Sequence, residues 1–147
     1  MVTSLTDYNA TDLLTLLKKR DINGVELLDC CIQRHNDVNP SLNAIVETNF
    51  EESRELFKKF DSEFSIDNYP EIFLPLPVGV KDLNDVEGLK TTFGSPLFKD
   101  NVATKDDDVV AQIKKASAVI FGKTNVPEHG FGATTTNPLQ GSTGNPF

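Results

Sequence analysis

The sequence predicts an α/β fold in which an N-terminal helical layer packs on a partial parallel or mixed sheet, and three observations support that prediction. Leucine and phenylalanine recur at helical spacing through the first 64 residues, whereas short apolar runs bracket a helical pattern from Pro77 onward. Composition turns over near residue 76. Residues 1–76 hold fourteen acidic and seven basic side chains, and residues 77–147 hold eight and seven. Eight of the nine glycines fall in the second part. The chain is therefore divided into a helical layer, 1–76, and a strand–helix–strand part, 77–147, that together form one unit.

In the first part, Asn9 is placed to cap a helix carrying Leu13, Leu14, Leu16 and Leu17, which ends on the cations Lys18, Lys19 and Arg20. Asn23 and Glu26 have capping-box spacing and open a second helix, with Leu28, Cys31, Ile32 and His35 on one face. Pro40 is expected to stop it. Ala44-Ile45-Val46 reads as a short strand. Asn49 then caps a third helix that turns Phe50, Leu56, Phe57, Phe60 and Phe64 inward and pairs Glu55 with Lys59. These stripes read as core.

In the second part, Pro77-Val78-Gly79-Val80 is a short apolar strand ending at Lys81-Asp82. Asp106, Asp107 and Asp108 form a solvated acidic start to a helix bearing Val109, Val110, Ile113 and Ala116. Ala118-Val119-Ile120-Phe121 is a buried strand, broken by Gly122-Lys123-Thr124-Asn125. Strand, helix, strand order favours a parallel sheet, with chemistry in the loops after the strand ends. Both Lys81 and Lys123 are expected there.

At 147 residues and net charge −8, the chain has the size and composition of one globular domain. The acidic balance, with a pI near 4.7, argues against a nucleic-acid partner. No apolar run reaches the roughly 18 residues of a membrane span, and no signal-peptide pattern opens the chain. A cytoplasmic, non-membrane protein is expected. Adjacent Cys30 and Cys31 suit neither a loop-closing disulfide nor a metal site, and read as one core and one surface residue. Asn9-Ala10-Thr11 matches a glycosylation sequon but reads as a helix cap, and His35 reads as a ring packed on a helix face.

Several motifs fail on spacing. Gly122-Lys123-Thr124 imitates the end of a phosphate loop, but Ser117 stands where the first glycine belongs. Gly130-Phe131-Gly132 lacks the third glycine of a dinucleotide fingerprint, and residues 106–108 lack calcium-loop spacing. No cofactor or metal is expected. A lysine closing a buried strand is a candidate for chemistry, because burial lowers an ammonium pKa and can make lysine a general base. The ordinary alternative is that Lys81 pairs with Asp82 or reaches into solvent. The residues alone do not separate Lys81 from Lys123.

The blocks Leu76-Pro77-Val78-Gly79-Val80-Lys81-Asp82, Gly88 and Thr91-Thr92-Phe93-Gly94-Ser95 resemble those of the amidase signature family. The likeness continues through Asp107-Asp108-Val109-Val110, 118–125, Pro127-Glu128 and Gly141-Ser142-Thr143-Gly144-Asn145-Pro146-Phe147. The resemblance implies an incomplete amidase-signature fold and cleavage of carboxylic amide bonds by a Ser-Ser-Lys triad. Lys81 would be the general base, acting through a bridging serine on a nucleophilic serine that forms an acyl-enzyme. Lys123 is not the base in that family. Thr124, Asn125, Thr143 and Asn145 would shape the substrate region.

Both family serines follow the Asn-Pro-aromatic block, which here ends the sequence at Phe147, so they are expected to be absent and the chain inactive alone. Ser142 precedes that stretch and is not expected to be the nucleophile. Gly144 stands where relatives often carry Arg, and His129 where they often carry an aromatic residue. Pro127-Glu128-His129-Gly130 looks more like the general amidases than the amidotransferases that act on aminoacyl-tRNA. A completed enzyme would take a small-molecule amide. The rivals are a non-catalytic binding module that self-associates or pairs with a complementary C-terminal chain, as in a split enzyme, and a truncated gene product without a role.

Overall fold

The structure is a computed structural model and describes residues 4–64 and 75–147. Helix α1 spans Ala10–Lys19; Asn9 Oδ1 accepts from Asp12 N at 2.9 Å, and Arg20 closes the helix in the left-handed region. Helix α2 spans Gly24–Leu42 and opens with the expected capping box: Asn23 accepts from Glu26 N, and the Glu26 carboxylate accepts from Asn23 N. Pro40 does not stop this helix. It lies in the final turn, where its missing N–H removes a single bond of the ladder. The turn closes instead through Asn43 N on Asn39 O at 2.7 Å, with Asn39 Oδ1 accepting from Ala44 N and Ile45 N.

Helix α3 spans Phe50–Glu63. Asn49 occupies its N-cap position without capping it, because its side-chain amide donates to Ile120 O instead. Phe57 is fully buried, but Leu56 faces outward at 37% exposure. Glu55 pairs with Lys58 rather than Lys59, which approaches Glu63; three- and four-residue spacings share a helix face, so either partner is in reach. Asp61 fixes α3 against the start of α2: its carboxylate accepts from Gly24 N and Val25 N and meets the Arg20 guanidinium at 3.4 Å. An anion at a helix N-terminus satisfies orphan donors and the macrodipole together.

The sheet contains β1 (Ile45–Thr48), β2 (Pro77–Lys81) and β3 (Val119–Thr124) in the order β1-β3-β2. Strand β3 is parallel to β2 and antiparallel to β1, so the sheet is mixed. Helix α4 (Asp108–Lys115) lies in the crossover from β2 to β3. Leu28 and Phe57 cover one sheet face with Val119, joined by Val25, Ile32, Phe60 and Phe121. Val86, Leu89 and Val110 cover the other with Val80 and Ile120, beside Val78 and Ile113. Val109 on α4 is half exposed. The acidic helix start is not merely solvated: Asp107 accepts from Asp85 N and Asn84 Nδ2, and Asp106 from Glu87 N and Lys114. These bonds tie the β2–α4 connection to α4.

Both cysteines are half-buried rather than divided between core and surface. Burial, with Cys30 alongside, pushes the Cys31 thiol up to about 11, an unreactive position. His35 packs edge-on against Phe50 at 5.2 Å, as its place on α2 predicts. A short hairpin, β4 (Thr136–Asn137) with β5 (Gly141–Ser142), is the last element. Among the described residues, no helix is long and apolar enough to cross a membrane.

Two outcomes follow from this packing. A Cβ at Gly24 would lie 2.3 Å from Phe57 Cδ1, so Gly24→Ala should lower the urea-unfolding free energy by about 1–3 kcal/mol. Burial lowers the His35 pKa, so the fold binds that proton more weakly than the unfolded chain does. Stability from this site is complete above the ordinary histidine value and falls as pH drops towards the lowered one. His35→Gln should remove that part of the slope in denaturation curves taken between about pH 7.5 and 5.

Candidate functional site

The site is organised by an irregularity in the central strand. Val78 faces Ile120 and Gly79 faces Gly122, so β3 holds one extra residue, Phe121, relative to β2. The sequence predicts a break at Gly122, but the strand continues to Thr124. Glycine is needed at this point, since a Cβ there would meet Glu47 O at 2.6 Å. The extra residue resets the alternation, and Lys123 becomes the partner of Val80, on the same face as Ile120. Lys123 is thereby carried inside and is wholly buried.

Three oxygens receive its ammonium. Lys123 Nζ donates to Lys90 O at 3.0 Å and to Thr91 Oγ1 at 2.8 Å, and lies 3.3 Å from Asp82 Oδ1. Desolvation holds its pKa below the ordinary lysine value, opposed chiefly by the attraction of Asp82. Asp82 is almost as buried and is held at every polar group. Its N–H donates to Thr124 O, its carbonyl accepts from Phe93 N, and its carboxylate accepts from Thr92 N and the Thr92 hydroxyl.

Lys81 differs in every respect. It is the exposed last residue of β2, opposite Thr124, and its side chain has no hydrogen bond or ion pair among the described residues. Lys81 shares its face with Gly79, where a Cβ would lie 3.0 Å from Thr124 Cγ2 and 4.0 Å from Phe121. The next residue, Asp82, points through to the other face. The structure therefore rejects the Lys81–Asp82 pair and separates two lysines that are equivalent in sequence. Neither lies in a loop beyond a strand end.

Around this point the chain is held by polar side chains. Thr92 Oγ1 accepts from Gly94 N, and the turn passes through Phe93 and Gly94, both with left-handed φ. Phe93 O accepts from His129 N, and the His129 ring stacks on Phe93 and stands edge-on to Phe98. Asn125 donates to Thr143 Oγ1 at 3.0 Å and accepts from Asn137 Nδ2 at 2.8 Å. Thr143 in turn donates to Asn43 O, and Asn43 Nδ2 donates to Gln140 O and Ser142 O.

Of the sequence-predicted residues, Lys81 and Thr124 are strand partners, and Asn125 and Thr143 are hydrogen-bonded. Asn145 is exposed and bonds locally, accepting from Phe147 N. Ser142 lies exposed on β5 with its hydroxyl on Thr136. Sequence reasoning missed Asp82, Thr91, Thr92, Asn43 and Asn137. The alternation of a strand was the available signal for Asp82, and a glycine inside an apolar strand was the signal for the bulge. Among the described residues no His, Cys, Asp or Glu cluster could hold a metal ion.

Removing one member of a buried ion pair strands the other charge. Lys123→Met should cost about 3–5 kcal/mol in urea unfolding, and the double variant Asp82→Asn/Lys123→Met should recover a large part of it.

This geometry can be set beside known proteins. The family model described as Amidase matches residues 26–147. An acylamidase of Rhodococcus erythropolis is 37% identical over 143 residues, 95% of this chain and 29% of that protein. An indoleacetamide hydrolase of Bradyrhizobium diazoefficiens is 33% identical, over 95% of this chain and 27% of its own length. A glutamyl-tRNA(Gln) amidotransferase polypeptide of a Sulfurihydrogenibium species is 32% identical, over 92% and 28%. Among solved structures, a bacterial aryl acylamidase of the amidase signature family superposes with TM-score 0.86 at 27% identity, over 95% of this chain and 29% of that one. The chain thus spans less than a third of the length of these relatives. Sequence and fold agree: the chain belongs to the amidase signature family.

Proposed function

We propose that this chain is the N-terminal portion of a hydrolase that cleaves non-peptide carboxylic amide bonds through a Ser-Ser-Lys triad, with Lys81 as its general base. One observation supports this reading above the others. Lys81 closes β2 as an exposed amine, unpaired among the described residues, while the only carboxylate next to it in sequence is committed to the opposite face. An amine with no counterion is available to exchange a proton, whereas the buried Lys123 is enclosed by its own three acceptors. Lys81 in its neutral form would take a proton through the bridging serine while the second serine attacks the amide carbon. That proton would pass back through the bridging serine to the departing amine, and water would then release the acyl group as the acid and restore the serine. Both serines would lie beyond residue 147. Thr124, Asn125, Thr143 and Asn145 would border the substrate, and the 1–76 and 77–147 parts would act as one unit.

A second reading, a chain completed by another polypeptide, draws support from the sheet order: β2 is an edge strand among the described residues, and an open edge accepts a partner strand. Mixing the chain with a complementary C-terminal piece separates the two, since restored turnover marks a split enzyme and binding without turnover marks a partner module.

The 147 residues alone should give no hydrolysis of simple aliphatic or aryl amides. A form extended through the serine-bearing stretch should turn over, and Lys81→Ala in it should lower kcat about 10²–10⁴-fold. Turnover by the short chain that vanishes in Lys81→Ala would overturn the proposal.

A further inference from the structure

We infer that Lys123 is a positioning residue for Lys81: by fixing the Asp82 carboxylate on the α4 face of the sheet, it denies Lys81 a counterion. The inference rests on the reading of Lys81 as the base. Lys81 and Asp82 are consecutive at the end of β2, so alternation starts Asp82 on the face opposite Lys81, and what keeps it there decides whether the two can pair. Two contacts of different kinds hold Asp82 away. Thr92 supplies neutral donors, its N–H and its hydroxyl. Lys123 supplies the only cation on Asp82 among the described residues, at 3.3 Å.

Neutral donors alone leave a buried carboxylate with its charge uncompensated, and such a group either takes up a proton or seeks a cation. The nearest cation along the chain is Lys81. Lys123 therefore does more than fill the core, because its charge holds the Asp82 carboxylate on the face where alternation sets it. The role does not require Lys123 to touch substrate. Its enclosure by Lys90 O and Thr91 Oγ1 fixes the ammonium on the α4 face, where the Asp82 carboxylate meets it at 3.3 Å.

The test is the rate of acetylation of each lysine by N-hydroxysuccinimidyl acetate at fixed pH, read by peptide mass spectrometry on the whole chain. Exposed Lys99 and Lys105 serve as internal controls. In the unchanged protein Lys81 labels like these controls and Lys123 resists. In Lys123→Met, Lys81 should label about two- to fivefold more slowly, the factor an exposed ion pair supplies, while the controls hold. Lys123→Arg, which keeps the cation, should restore the original rate. An unchanged Lys81 rate in a folded Lys123→Met protein overturns the inference.

If that single variant does not fold, Asp82→Asn/Lys123→Met serves only as the control without the carboxylate. Beside that control, in which Lys81 should keep the original rate, the milder Lys123→Gln removes the charge while keeping a hydrogen-bonding side chain; slower Lys81 labelling in it supports the inference and an unchanged rate overturns it. Labelling needs no turnover, so its failure leaves the base assignment intact. Conversely, turnover that survives Lys81→Ala in the longer form would remove the assignment without altering the labelling result.

Discussion

A wholly buried ammonium between the central strand and the loop that follows β2 has to be answered inside the protein, and Asp82 answers it. Much of the local architecture is the consequence. A carboxylate and an ammonium taken from water together lose hydration that their attraction repays only if the remaining lone pairs and protons find partners. Here they do: Thr91, Thr92 and the Lys90 carbonyl complete the set. Asp82 is also tied through its own N–H and carbonyl, so the strand end, the turn at 91–95 and β3 are fixed at one point.

From that point order spreads by short polar links rather than by apolar packing. Thr92 carries it to Gly94, and Phe93 O to His129. Asn137, which abuts Gly94, passes it to Asn125, Thr143 and Asn43 at the end of α2. Residues a hundred positions apart are thereby joined across the sheet end. Amide side chains suit this work because each donates and accepts at once, so one residue can satisfy two stretches of irregular backbone. The apolar clusters hold the sheet between them, while the polar chain sets where the loops go.

What the sequence disclosed follows the same division. Helical periodicity, the caps at Asn9 and Asn23 and the β2–α4–β3 crossover are local or repetitive signals, and they were legible. Pro40 was misleading because a proline in a last turn removes little, and Asn49 because its side chain is turned to donate to Ile120 O rather than to accept from the helix. The separation of Lys81 from Lys123 was out of reach because it depends on a register slip between strands far apart in the chain. The blocks that carry the family likeness showed which lysine mattered without showing why. Strand geometry supplies the reason: alternation sets Asp82 on the face opposite Lys81, and Thr92 and Lys123 hold its carboxylate there.

The extra residue in β3 acts as a change of parity. Before it, odd positions of the strand meet the helices α2 and α3; after it, odd positions meet the α4 side. A strand of uniform parity would have delivered the ammonium into the company of Leu28 and Phe57, away from the Asp82 carboxylate. The chain thus writes an apolar and an ionic message on one strand and uses a single insertion to address them to different sides. Loss of one residue between Ile120 and Lys123 would therefore be graver than any substitution there, because it would misdeliver everything downstream while leaving the composition of the strand almost untouched.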